Sequence, residues 1–420
     1  MSCNRDVEAA RMTYCPDWIM SNVMLTIIST LATLCSGVTI LMSLAALLLY
    51  IKDRRLPHGT SPVSVLKPVL GHHDELEANL ESFCVQSHPQ YELIVGAADS
   101  NDPALAVARR VRDRHPEVAF KIVSGQWSNG SNPKVRNLRN LLAHARYPTV
   151  LVSDGDVRVD PEYLSIMAGA IEQPNVGLVS NLIVGEGERT LGAAAENAQF
   201  NGFIAASTAA AALIARHPIV VGKSMLFRRD ALTNAGGFAA AANVLAEDYL
   251  LGRAVAQAGY QVRVLGHCVR AISCQRSLPR MVQRQLRWAQ IRRQVAPAIY
   301  ALEPLGYPLL WIALVLAALG LSASATQLNP WDFAAHLVAP LGAFGFLTVV
   351  ACKLRGRGPR LTDFVAFPLA SLMAGFAWVR AWFDVAVVWR QQQFRITRGS
   401  ILLPHQAQAR RTDERLPEAA

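Results

Sequence analysis

Apolar positions along the chain follow two regimes. Val23 to Tyr50 is an uncharged run rich in Leu, Ile, Ala and Val, long enough at ~1.5 Å per helical residue to cross a hydrocarbon core of roughly 30 Å. Ile51-Lys52-Asp53-Arg54-Arg55 follows directly. An apolar run closed by a basic cluster places that cluster in the cytoplasm and the short segment 1–22 outside. A cleaved signal peptide is the other reading of such a run. Its length, and the lack of a small-residue cleavage site before the basic flank, favour a retained anchor over residues 23–50.

From about Pro62 to Arg276 the pattern changes to short segments. Ser64–Val69, Tyr91–Gly96, Phe120–Val123 and Thr149–Ser153 are compact runs typical of strands, and Leu76–Val85 and Leu105–Arg114 carry helical spacing between them. Strand–helix alternation predicts an α/β domain over 60–276 with a mostly parallel sheet and ligands at the carboxyl ends of its strands. Leu278 to Tyr300 then reads as a basic, Arg- and Gln-rich amphipathic helix. It suits a membrane surface, or alternatively a solvated face of the domain; the spans that follow favour the interfacial reading for 277–300. Leu305–Ala325 and Phe333–Cys352 are span candidates within a C-terminal membrane region, 305–389. The last apolar stretch, Phe364–Trp389, carries Arg380 and Asp384 and precedes a basic tail, 390–420. A single crossing there would put the tail outside, against the positive-inside tendency; either the segment splits into a re-entrant or double pass, the favoured expectation, or the tail breaks that tendency.

Composition agrees with this division: 420 residues, 52% hydrophobic, with a mean hydropathy of +0.22, describe a globular part joined to a few spans. The net charge of +10 sits largely beside apolar segments, which points to an anionic leaflet and away from nucleic acid. Seven scattered cysteines show no metal-ligand spacing.

Four elements carry candidate chemistry. In Val150-Leu-Val-Ser-Asp154-Gly-Asp156 a buried strand runs into two carboxylates one residue apart. Hard oxygen ligands so placed suit Mg²⁺ or Mn²⁺ bridging the phosphates of a nucleotide-sugar, although such pairs also occur in ordinary turns. Asp99 ends another strand, where a carboxylate can accept from a base or ribose; Asp102, before Pro103, reads better as a helix N-cap. Glu247-Asp248-Tyr249 opens an apolar helix. Direct displacement of a sugar needs one base for the acceptor proton, and Asp248 is the candidate; Glu247 suits the helix dipole. Arg284-Gln-Leu-Arg287-Trp288 places two guanidiniums on one helical face for a diphosphate, with Trp288 either against a sugar ring or at headgroup level.

In this order the four elements resemble the ceramide glucosyltransferases and their bacterial relatives within the GT-A glycosyltransferases. Asp99, Asp154 and Asp248 match that family's three aspartates, and Arg284-x-x-Arg287-Trp288 its (Gln/Arg)-x-x-Arg-Trp. Ser64-Val-Leu-Lys67-Pro68, Asp102-Pro103-Ala104, Asn132-Pro-Lys134-Val-Arg-Asn-Leu138, Gly222-Lys-Ser-Met225 and Ala246-Glu-Asp-Tyr249 match as well. The likeness covers about residues 60 to 300. It implies a GT-A domain and an inverting, metal-assisted transfer from a UDP-sugar to a membrane lipid hydroxyl. It also places Lys67 and Lys134 near the nucleotide or phosphates, where each is otherwise a surface lysine.

Two departures bear on the acceptor. Asp156 adds a carboxylate where the eukaryotic enzymes have a Ser-containing segment, and Ala205–Ala215 is small and apolar where animal members carry a histidine. The Ala- and Arg-rich composition suggests a bacterium, and among bacterial relatives the chain is similar in character to the hopanoid-biosynthesis glycosyltransferases. That likeness implies an N-acetylhexosamine added to a hopanoid polyol, beside glucose added to ceramide. The expected protein is integral to the bacterial inner membrane with its catalytic domain cytoplasmic. A processive polysaccharide synthase is the chief rival, since it also uses aspartates and an Arg-Trp motif, but the spans are few for a polymer channel. A transporter or a non-catalytic scaffold explains the aspartates less well.

Overall fold

The computed structural model describes residues 17–54, 56–71, 74–125, 129–323, 330–389 and 392–404. Helix α1 (Asp17–Asp53) precedes an alternation of β1 (Val63–Pro68), α2 (Leu76–Cys84), β2 (Tyr91–Ala97), α3 (Pro103–Arg114), β3 (Phe120–Ser124), α4 (Pro133–Ala143) and β4 (Thr149–Ser153). Then come β5 (Val157–Arg158), α5 (Tyr163–Ile171), β6 (Val176–Glu186), α6 (Leu191–Gln199), α7 (Ala205–Leu213), β7 (Ser224–Arg228), α8 (Arg229–Asn234), α9 (Glu247–Gln257) and β8 (Gln261–Ile272). The chain continues through α10 (Leu278–Val295), α11 (Pro297–Leu302), α12 (Pro308–Ala323), α13 (Pro330–Arg355), α14 (Leu361–Ala381), β9 (Ala386–Trp389), β10 (Gln392–Ile396) and β11 (Leu402–Pro404).

Two compact units result. One holds residues 17–41 and 303–347, where Leu25, Ala32, Val315, Ala318 and Leu319 pack together. The other holds the remainder, built on an eight-stranded sheet of order β3-β2-β1-β4-β7-β6-β8-β5. β1 to β4 are parallel neighbours, as strand–helix alternation requires. Beyond β4 the sheet is mixed: β7 pairs antiparallel with β4 and β6, while β6 and β8 pair parallel. β1 and β4 are buried along their whole length because helices cover both faces.

Among the described residues, α1, α13 and α14 are long and apolar enough to cross a membrane, and α11 with α12 forms a bent pair that would make a fourth span. The basic helix breaks at Ala296, so α10 ends before Tyr300. The expectation of a double pass over 364–389 is corrected. That stretch is a single helix, α14, followed by a strand that pairs with residues 392–396 of the basic tail. Val387, Phe394, Ile396 and Leu402 bury their side chains with Leu245, so apolar content there serves a small sheet. Residues 1–16 and 405–420, and with them most of the short N-terminus and the end of the tail, lie outside the described residues.

Candidate active site

β1 and β4 run side by side, so their carboxyl ends meet. β4 stops at Ser153, and Asp154-Gly155-Asp156 turns the chain into β5. Beneath this turn lies Lys67, fully buried. Its Nζ donates to the Asp154 carbonyl at 2.8 Å and lies 4.0 Å from the Phe83 ring centroid. Burial draws its pKa down to about 7 against the pull of Asp154 and Asp156. Lys67 therefore neither lines the cavity nor lies at the surface; it braces the acidic turn from below.

Lys134 stands in the first turn of α4, whose Asn132 N-cap accepts from the Val135 N–H. Its Nζ lies 2.8 Å from Asp154 Oδ1 and 3.0 Å from Glu247 Oε1, and it donates to the Gly222 carbonyl at 3.2 Å. Burial disfavours this charge, but the two carboxylates override it and the pKa rises. Burial likewise opposes ionisation of Asp154, and Lys134 and Lys223 hold its pKa below the ordinary value. Lys223 clasps Asp156 at 2.6 Å to each carboxylate oxygen and stands 4.0 Å from Asp154. Acid and lysine thus alternate across the floor of the site.

Asp248 opens α9. Its Oδ2 accepts from the Gly222 N–H at 2.8 Å and its Oδ1 from the Tyr249 N–H at 2.7 Å. Burial, and then the Glu247 charge, push its pKa up to about 6, with Lys134 and the two N–H donors acting the other way. A carboxylate so tuned is ionised at neutral pH yet basic enough to take a proton. A Cβ on Gly222 would lie 2.9 Å from Asp248 Oδ2 and 3.2 Å from its Cβ. Gly222→Ala is therefore expected to swing the carboxylate aside and lower kcat by about 10²-fold, the scale of an ångström misplacement, with donor KM little changed. A kcat within twofold of the parent would show that this contact does not set the position of Asp248.

α10 supplies the facing wall. The Arg284 guanidinium lies 4.7 Å from the Trp288 ring centroid, and Trp288 meets Phe200 edge-on at 5.4 Å. Arg284 is held by Glu196 of α6, with Nε at 3.2 Å from Oε1, and the same buried carboxylate grips Arg276 and accepts from Ser273 Oγ. Arg287 points its Nη1 at the Val388 carbonyl of β9, 3.5 Å away. Asp154, Asp156, Lys134, Lys223, Asp248, Arg284, Arg287 and Trp288 all line one cavity of about 540 Å³, whose remaining wall includes Phe203, Ile204, Ile219 and Ile291.

Asp99 is elsewhere. It is exposed beyond β2, accepts from the Asn101 N–H, and lines an open depression of about 420 Å³ with Ser124 and Gly125. Asp102 caps α3 by accepting from Ala104 N–H and also takes the Gly71 N–H. Sequence reasoning passed over Glu196 and gave Lys223 no role. The signal for Glu196 was a lone acid within the alanine-rich Leu191–Gln199 helix, where a carboxylate needs a cation from outside the helix.

A family model described as "Glycosyl transferase family 21" matches residues 25–402. Ceramide glucosyltransferase 3 of Caenorhabditis elegans is 29% identical over 244 residues, covering 58% of this chain and 53% of the relative, so the match spans about half of that protein. Ceramide glucosyltransferase 1 of the same organism is 26% identical over 396 residues, 92% of this chain and 82% of the relative. Among solved structures, the mannosyltransferase PcManGT of Pyrobaculum calidifontis, in complex with GDP-Man and Mn²⁺, superposes at a TM-score of 0.47 with 20% identity. The superposition covers 84% of this chain and 99% of that one. S. aureus TarS with UDP-GlcNAc superposes at 0.37 with 13% identity, over 82% and 99%.

Proposed function

The chain belongs to glycosyl transferase family 21 and has the GT-A fold, and from that premise we propose an inverting transfer of a sugar from a UDP-sugar to the hydroxyl of a membrane lipid. The observation that carries this reading is Asp248, a carboxylate fixed by the Gly222 and Tyr249 N–H groups, in the same cavity as Lys134, Lys223, Arg284 and Arg287, with an apolar wall beside them. The cations suit a diphosphate, and the apolar wall suits the body of a lipid whose hydroxyl reaches the base.

In this mechanism the acceptor O–H gives its proton to Asp248 as its oxygen bonds to the anomeric carbon. The bond from that carbon to the diphosphate oxygen breaks on the opposite face, and the diphosphate keeps the electron pair. A single displacement with Asp248 as base, and no sugar–enzyme intermediate, makes the outcome inversion. Glu196 positions Arg284, and Lys67 keeps the Asp154 turn in place.

Asp154 and Asp156 are hard oxygen donors facing the cavity. Among the described residues no cluster of three or more His, Cys, Asp or Glu is placed to hold a metal. The pair would hold an ion only if Lys223 releases Asp156, both of whose oxygens it occupies in this structure, with donor phosphate oxygens needed to complete the ligand set. Mg²⁺ or Mn²⁺ there would screen the charge of the departing diphosphate.

The apolar helices fit membrane association, and the basic flank of α1 supports an inner-membrane protein with this unit cytoplasmic. The relatives' names support ceramide as acceptor class, and the small, apolar α7 keeps a hopanoid polyol as the alternative substrate to test.

The test is to incubate the purified protein with UDP-glucose or UDP-N-acetylglucosamine and with ceramide or a polyol hopanoid, and to weigh the products. One sugar per lipid, lost on chelation of divalent metal, is expected. A ladder of oligomers would identify a processive synthase instead, and a rate indifferent to chelation would remove Asp154 and Asp156 as metal ligands.

A further inference from the structure

A second cavity, of about 250 Å³, shares no lining residue with the catalytic one. It is enclosed by the carboxyl end of α1, the bend of β8 at residues 266–268 and the carboxyl end of α13, and its polar lining includes Asp53, Arg54, Asp160, His267, Arg270 and Arg355. It is tightly built. A Cβ on Gly266 would lie 2.3 Å from both the carbonyl carbon and the oxygen of Leu49, so only glycine lets β8 touch the last turn of α1. That approach allows the Gly266 N–H to donate to Asp53 Oδ2 at 2.6 Å.

Asp53 Oδ1 is different. Among the described residues it accepts no hydrogen bond, although Asp53 is only 3% exposed. A buried carboxylate oxygen without a donor is costly, and a donor entering the cavity would relieve that cost. The basic side chains around it are unequally engaged. Arg355 is buried and committed to Asp363, at 3.1 and 3.2 Å, and His267 lies 3.0 Å from Asp160. Arg54 is exposed and rests over the Tyr50 ring, and Arg270 stands 3.7 Å from Glu186. Two loosely held guanidiniums therefore border a cavity that also presents an orphan anionic acceptor.

We propose that this cavity binds the headgroup of a phospholipid carrying a primary ammonium, with phosphate on Arg54 and Arg270 and ammonium donating to Asp53 Oδ1. The location suits a lipid, given the reading that α1 and α13 cross the bilayer and end at headgroup level. The chemistry selects the headgroup. A choline headgroup has no N–H to give to Oδ1. A glycerol headgroup has an O–H but brings no cation to Asp53. Phosphoethanolamine supplies both the anion and the donating cation.

The test reads lipid retention, independent of sugar transfer. Full-length protein is extracted from vesicles containing equal parts of phosphatidylethanolamine, phosphatidylcholine and phosphatidylglycerol, and bound lipid is counted by native mass spectrometry. Phosphatidylethanolamine should be retained about tenfold over the others, the scale of one charge-assisted hydrogen bond. Asp53→Asn, whose carbonyl oxygen still accepts from the Gly266 N–H, should erase that preference. Arg270→Gln, at the exposed rim, should weaken retention without changing unfolding in detergent, and it decides the matter if Asp53→Asn does not fold. Equal retention of the three lipids, preference for phosphatidylglycerol, or an unchanged preference in either folded variant would overturn the proposal. Soluble phosphoethanolamine should not be retained; binding as tight as the lipid's would overturn the lipid assignment in favour of a free ligand.

Discussion

Replacing Asp248 by Asn is expected to lower turnover by about 10²- to 10⁴-fold, the usual contribution of a positioned base, while donor binding persists. The parent enzyme's kcat/KM should fall as pH drops below about 6, because the base works only when ionised and burial beside Glu247 sets its pKa there. Well above that pH the group is ionised and competent. The Asn variant should show its residual rate without this acidic limb. A complication is structural: the carboxylate accepts from both Gly222 N–H and Tyr249 N–H, and an amide has only one oxygen. One N–H then loses its partner at a cost of about 1–3 kcal/mol. Donor affinity measured on the same preparation separates that loss of stability from loss of chemistry. A variant with a rate within tenfold of the parent and an unchanged acidic limb would exclude Asp248 as the base.

How much of this was legible beforehand differs by element. β1, β2 and β4 were readable because each is a short run buried on both faces between helices, a local pattern, and the half-buried edge strand β3 was readable from its short Phe-Lys-Ile-Val run. The mixed half of the sheet was not, since the pairing of β6 with β8 joins residues far apart in sequence and neither strand's composition names its partner. Ala386–Trp389 misled for a related reason. Valines that suit lipid also suit a strand, and only the contact of Val387 with Phe394, Ile396 and Leu245 distinguishes the two. In the site, Asp154 and Asp248 announced themselves by following or opening regular elements. Lys67 did not announce its depth, because residue type gives charge and not burial. Glu196 and Lys223 act through partners brought by the fold, Glu196 on Arg276 and Arg284, and Lys223 on Asp156.

Lys134→Met tests the charge alternation itself. The substitution keeps most of the side-chain volume and removes the cation that bridges Asp154 and Glu247. Breaking a buried ion pair from one side leaves the other charge uncompensated and typically costs about 3–5 kcal/mol, so a large fall in unfolding midpoint is expected. Asp154→Asn on the same background should restore part of the loss, because it removes one of the stranded charges; the interaction energy follows from the double-mutant cycle. Catalysis gives a second readout. Lys134 is the charge that holds the Asp248 pKa down, so its loss should move the acidic limb of kcat/KM to higher pH and deepen the deficit at neutral pH. An unfolding midpoint and a pH profile both equal to the parent's would mean that Lys134 bears on neither carboxylate in solution.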